Sequence, residues 1–219
     1  MLLALSFAWT LQCAAQTSTP PAPPPSNVNK PNVHWLFGAF VTKSTPLVTL
    51  SGKERAKLYV VQAFTNPGVY IRSGFFATID QVNNEPSEWG GGASGFGKRF
   101  ASHQGQLVVQ YSMSSLGNAV VGYEPRYDQC KCDGTWKRMR HAIVRNFMTY
   151  NRTEKELRPQ MMLYGAAFGA GAVSSVWKPD RFHPLSQGAN GVLNQAAWGV
   201  LSNMFAEFYP EIKRTLKFP

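Results

Sequence analysis

A chain of 219 residues is long enough for one domain with a good core and cramped for two. Apolar residues at 44% exclude wholesale disorder, and charged residues at 16% are sparse beside the usual quarter of a soluble protein. Twenty-two basic residues stand against twelve acidic ones, a formal charge of +10, yet they form no single tract, so nucleic acid is a poor partner.

Leu2 to Leu11 form a mostly apolar run of ten residues. That is half the ~20 needed to cross a bilayer, and it fits the h-region of an export signal. Small residues follow at Ala14 and Ala15, which predicts a signal peptide over 1–15 and a mature start at Gln16. No Lys or Arg precedes Lys30, so a basic n-region is missing. Residues 16–50 read as a Pro-rich disordered tether and linker, and 51–219 as one folded domain. The expected location is the periplasm or cell envelope, in association with a membrane. Removal of 1–15 deletes Cys13 and leaves Cys130 and Cys132, two loop cysteines in a turn that form a candidate disulfide in an oxidising compartment.

No segment alternates strongly enough for a strand, and the expected fold is all-α, a single bundle of five to six helices. Ser51 and Glu54 form a capping-box pattern ahead of a first helix over 52–64. Asn66-Pro67-Gly68 breaks the chain before a second helix over 68–82. A third is expected from about 94 to 123, stopped by Pro125. A fourth runs from Thr135 to about Tyr150, with Trp136, Met139, Ile143 and Phe147 at helical spacing. A fifth covers about Gln160 to Trp177. In a sixth, over about 188–209, Leu193, Ala197, Val200, Leu201, Met204 and Phe208 make one apolar stripe, and Pro210 ends or kinks it.

Glycine placement adds to this. Gly91 and Gly95, Ala101 and Gly105, and Gly165 and Gly169 lie four apart, and Gly188, Gly191 and Gly199 punctuate the last helix. A helix-interior glycine costs ~1 kcal/mol against alanine, and close backbone approach between helices is the usual compensation. Gly165 and Gly169 are therefore expected to face a neighbouring helix. Residues 100–123, 159–177 and 182–206 contain no charged side chain, and aromatics gather at helix ends. Those features resemble the interfacial belts of membrane proteins.

The densest polar stretch is 124–145. Arg138, His141 and Arg145 fall at i, i+3, i+7, on the helix side opposite the apolar stripe. They are the candidates for binding an anion, with His141 as a candidate acid or base. Lys98 and Arg99, one turn into the third helix behind the Gly-rich run 90–97, are further anion-binding candidates. No H-x-x-x-H or H-E-x-x-H pattern exists and the two remaining cysteines lack neighbouring ligands, so no metal and no cofactor is expected.

The runs PSEWGGGASGFGKRFAS, EPRYDQC, RHAIVRNFMT and VWKPDR resemble a family of exported bacterial proteins of uncharacterised role. Its members carry P-x-E-W-G-x-G, D-P-R-Y, R-x-x-H-A and W-Y-P-D segments. The likeness covers about residues 55–215. It departs at Glu124, where the family tends to have Asp, and at Lys178, where it tends to have Tyr. The resemblance implies a single all-helical exported domain and no catalytic assignment.

Two functions follow. The first is a non-enzymatic envelope protein, associated with a membrane or wall through anionic lipid or a cell-wall component. The alternative is a hydrolase or transferase on a phosphorylated lipid or cell-wall precursor, using His141 with Arg138 and Arg145.

Overall fold

The computed structural model describes residues 33–34, 38–151 and 156–216. The span 1–15 expected as a signal peptide, and most of the 16–50 span expected as a tether, lie outside the described residues. The fold is a bundle of six helices with two very small sheets: α1 Gly52–Val60, α2 Pro67–Val82, α3 Gly92–Val121, α4 Thr135–Phe147, α5 Met161–Ser174 and α6 Pro184–Leu216. The strands are β1 Val33–His34, β2 Gly38–Val41, β3 Tyr127–Asp128, β4 Met148–Tyr150 and β5 Leu157–Pro159. At two to four residues each, they are too short for alternation to register in sequence.

The helix ends follow the local chemistry. Ser51 and Glu54 close a complete capping box on α1, which widens into a π turn at Val61–Thr65. Asn66 caps α2 by accepting from the Gly68 N–H at 2.7 Å, with Pro67 in the first turn. α3 ends at Gly122 in the left-handed region, φ 77°. The fourth helix stops three residues short of Tyr150, because Met148–Tyr150 pairs antiparallel with Leu157–Pro159 as β4 and β5. Gln160 Nε2 donates to the freed carbonyls of Arg145, at 2.7 Å, and Met148, at 3.2 Å.

Pro210 neither ends α6 nor leaves a carbonyl orphaned. A helical proline lacks the N–H that would bond the carbonyl four residues back. That carbonyl, on Ala206, accepts instead from Gln129 Nε2 at 2.7 Å, and the next, on Glu207, accepts from Arg138 Nη2. The stretch 38–50, inside the span read as linker, packs on the bundle. β2 runs antiparallel to β1 and parallel to β3, and Ala39, Phe40, Val41 and Leu50 are buried.

α3 packs against α2 and α5, and α6 against α5 and α4. The α5–α6 contact is built on missing side chains. A Cβ on Gly171 would collide with the Gln187 carbonyl, one on Gly191 with the Ala167 carbonyl, and one on Gly188 with the Phe168 ring. The buried face of α5 is Ala166, Ala167, Ala170, Gly171 and Ser174. Of the pair singled out in sequence, Gly169 does face another helix, against Met113 of α3. Gly165 does not: an added Cβ there would meet nothing within 4 Å.

Many polar and charged side chains are buried on the helices, and many large apolar ones are exposed. Buried positions include Arg55, Arg72, Arg99, Gln110, Glu124, Arg126, Arg145, Gln195 and Glu207, while the buried apolar residues on the helices are mostly alanine. Many large apolar side chains of the helices lie outside. Ile71, Phe75, Ile79 and Val82 form an exposed stripe along α2. On α6 part of the sequence stripe turns outward, with Leu193 65% and Leu201 43% exposed and Ala197 exposed beside them, whereas Val200, Met204 and Phe208 are half-buried; Gln187, Gly188, Gly191, Gln195 and Gly199 face inward. The same inversion holds on α4, where Trp136, Ile143 and Phe147 are exposed and Ala142, Arg145 and Asn146 are buried.

Candidate functional site

The inverted α4 carries the residues singled out in sequence into the protein. Arg145, on its inner face, donates from Nε to Asp128 Oδ1 at 2.6 Å and from its terminal nitrogens to the carbonyls of Met148 and Arg126. Its guanidinium also stacks 4.5 Å from the Tyr150 ring centroid. His141 Nε2 lies 2.8 Å from the Asp128 carbonyl oxygen, which can only accept, so Nε2 carries a proton. In the neutral ring Nδ1 is then the atom that can act as a base. Asp128, His141 and Arg145 thus come together, with the arginine's donors directed at protein acceptors.

Arg138 reaches across to α6. It donates from Nε to Glu207 Oε1 at 3.0 Å and from Nη1 to Glu211 Oε1 at 2.5 Å, and its guanidinium sits 4.4 Å over the Phe208 ring. Glu207, 1% exposed, also accepts from the Tyr127 hydroxyl at 2.5 Å and from the Cys130 N–H at 2.9 Å. Burial and this carboxylate push the Tyr127 hydroxyl far above its ordinary pKa. Cys130 and Cys132 are joined by a disulfide, with their Cα atoms 5.2 Å apart. Arg99 is fully buried and donates to the carbonyls of Glu85, Gly90 and Pro86 and to Gln81 Oε1, all at 2.7–2.8 Å. It fastens the loop ahead of α3. Lys98, the preceding residue, is exposed.

Arg138 holds the Glu211 carboxyl below the ordinary 4.5. A depressed folded value means this pair's contribution is whole above pH 4.5 and is lost as pH falls through the lower value. Glu211 is half exposed, so the effect is modest. Thermal melts taken downward from about pH 6 should show a fall in Tm below 4.5 that is shallower in Glu211→Gln.

Two cavities lie beside these networks. The larger, about 670 Å³, is a cleft bounded by α2, α3, α4, α5, α6 and the segment from Glu124 to Tyr127. Its polar wall includes Arg72, Tyr111, Asn146 and Gln195. Two of its arginines are neutralised: Arg126 makes a bidentate pair with Glu124, at 2.6 and 2.9 Å, and Arg145 pairs with Asp128. Burial holds the Arg72 guanidinium below its usual range, partly offset by Tyr111. The smaller cavity, about 340 Å³, lies between α2, α3 and α6. There His103 Nε2 sits 2.7 Å from Asp80 Oδ2, and Lys178 Nζ donates to Gln187 Oε1 at 2.6 Å. Burial lowers the Lys178 ammonium from its ordinary pKa, against a smaller opposing pull from Asp80.

Neither Arg72 nor the Asp80–His103 pair is among the residues picked out from sequence. A signal for Arg72 was present: it is the one charged residue in the apolar stretch 58–79. Among the described residues no cluster of His, Cys, Asp and Glu is arranged to hold a metal ion. Comparison with family models, with curated proteins and with solved structures finds no match.

Proposed function

We propose that the protein is a non-enzymatic, exported envelope protein that lays its apolar helix faces against a membrane rich in anionic lipid. The observation that carries this reading is the inverted burial. Ile71, Phe75, Ile79 and Val82 on α2 and Leu193, Leu201 and Phe205 on α6 are exposed, and Phe75 meets Trp198 at 5.8 Å, which joins the two stripes into one face. Each such side chain is worth about 1.5–3 kcal/mol when removed from water, so leaving a continuous set of them wet would be expensive. No described helix is long and apolar enough to cross a membrane, so the contact is with the interface and its outer acyl region.

Charge supports the same partner. α4 opens with Trp136, 74% exposed, beside exposed Lys137 and Arg140, and has no acid in its first turn. Cations at a helix N-terminus oppose the helix dipole, and an anionic headgroup there would offset that cost. Tryptophan is the side chain favoured at headgroup depth.

Co-sedimentation with vesicles of mixed phosphatidylglycerol and phosphatidylcholine tests the reading. Binding should weaken with salt. Each neutralised cation near the surface removes ~1 kcal/mol, so Lys137→Gln with Arg140→Gln should weaken binding about ten-fold or more at low salt and little at high salt. Arg138 is left intact, because it pairs with Glu207 and Glu211 inside the fold. A double variant that sediments like the parent at every salt concentration would remove the basic end of α4 from the contact. No sedimentation of the parent with anionic vesicles would contradict the reading itself.

A further inference from the structure

The larger cleft holds a buried cation that the fold does not neutralise. Arg72, on α2, is 5% exposed and lines the cleft. Its Nη1 donates to Gln195 Oε1 at 3.2 Å, an oxygen that also accepts from Gln110 Nε2 at 2.6 Å. The guanidinium lies 5.9 Å from the Trp198 ring centroid, and Tyr111 is its other polar neighbour. All of these are neutral. Among the described residues no carboxylate comes within ion-pair distance of Arg72, whereas Arg126 and Arg145 in the same cleft each have one. A guanidinium has five N–H donors in a planar fork suited to two oxygens of one anion. Burying that charge without a counter-ion is costly, and the fold places it beside open volume instead of beside an acid.

The remaining charges facing the cleft do not supply the missing anion. Glu124 is held by both arms of Arg126, and Lys213 at the edge adds positive charge. The other wall is apolar. Val69, Ile71, Leu163, Leu201 and Phe205 line it, and Ile71, Leu201 and Phe205 are also part of the exposed α2–α6 face. A volume of about 670 Å³ lies within the range of small-molecule sites.

We infer that this cleft binds one amphipathic molecule, with a carboxylate or phosphate head paired to Arg72 and an alkyl body along the apolar wall toward the α2–α6 face. The inference does not rest on the membrane reading, since it requires a single dissolved ligand and no bilayer.

Isothermal titration of the full chain, stripped of co-purifying lipid, tests it. The probes are dodecyl phosphate and dodecanoate below their micelle concentrations, with inorganic phosphate and dodecyl maltoside separating head from tail. Both anionic amphiphiles should bind one to one. Arg72→Gln should weaken both about ten-fold or more, the loss expected for a charge-assisted contact. Without ligand, that variant should melt no lower than the parent, because it no longer buries an unpaired charge. Leu201→Ser, a half-exposed change that spares the fold, should weaken dodecyl phosphate and leave inorganic phosphate unaffected.

Inorganic phosphate binding as tightly as dodecyl phosphate would overturn the amphiphile. Dodecyl maltoside competing as well as the anions would overturn the role of Arg72. Absence of binding by both anionic probes, equal binding by Arg72→Gln, or an Arg72→Gln chain that melts far below the parent would each overturn the site.

Discussion

Glu207→Ala should be among the most damaging single changes in the protein, with a loss of about 3 kcal/mol or more, the scale for removing one partner of a buried ion pair. Glu207 is 1% exposed and accepts from three donors on three parts of the chain: Arg138 of α4, the Tyr127 hydroxyl of β3 and the Cys130 N–H. Its removal strands two neutral donors and part of a cation. Arg138 keeps Glu211, which places the loss toward the lower end of the 3–5 kcal/mol range. Glu207→Gln retains an acceptor oxygen and should fall between the two. Urea unfolding of the three chains checks the order. A Glu207→Ala chain as stable as the parent would mean that these donors find water and that the polar interior is wet.

Gly171→Ala should destabilise the protein even though alanine is the better helix former. The substitution gains up to ~1 kcal/mol of helix propensity. Against this, the added methyl meets the Gln187 carbonyl and lies within 3.0 Å of the Gly188 Cα. These are backbone atoms of α6, which can yield only if the helix shifts. Overpacking of that kind costs about 1–3 kcal/mol, so the net sign is a loss. Gly165→Ala is the matched control on the same helix. Its methyl meets nothing within 4 Å, so it should stabilise by most of the propensity gain. Gly169→Leu, which sequence spacing alone would rank as severe, should be milder than Gly171→Leu. Its obstacle is the terminal methyl of a flexible Met113. If Gly171→Ala and Gly165→Ala shift Tm in the same direction, the α5–α6 contact is looser than the geometry indicates.

The helices were legible in the sequence because their punctuation is local. Ser51 with Glu54 and Asn66-Pro67 act within one turn and set the starts of α1 and α2; the end of α3, expected ahead of Pro125, falls at the left-handed Gly122. What periodicity does not carry is which way a stripe faces. Leu193, Ala197 and Leu201 repeat at helical spacing whether they line a core or an outer face. The inward direction on α6 is set by Gly191, Gln195 and Gly199, which repeat at the same interval two residues away, with Gly188 one turn before them. Sequence alone marks Pro210 as an end or kink, because its compensating donor, Gln129, is far away in the chain.

The candidate site was legible to a smaller degree, for the same reason. Arg138, His141 and Arg145 do share one side of α4. Whether that side holds a ligand or the protein's own acids depends on Asp128, Glu207 and Glu211, and the last two are some seventy residues away. Arg72 meets Gln110 and Gln195 through helices separated by long stretches of chain, and no motif connects them. The small-residue spacing was informative in kind and imprecise in position: Gly169 and Gly191 are contact glycines, Gly165 is not, and Gly171 is the tightest of those on α5.

The outward-facing α2–α6 surface is tested most directly by its accessibility on a bilayer. Nitroxide labels at Ile79→Cys and Leu193→Cys, in a chain carrying Cys13→Ser, would report collisions with oxygen dissolved in lipid and with an aqueous nickel chelate. On addition of anionic vesicles, oxygen accessibility should rise and nickel accessibility should fall at both positions. Labels that retain their aqueous accessibility while the protein is bound to the vesicles would contradict the assignment of this face to the membrane.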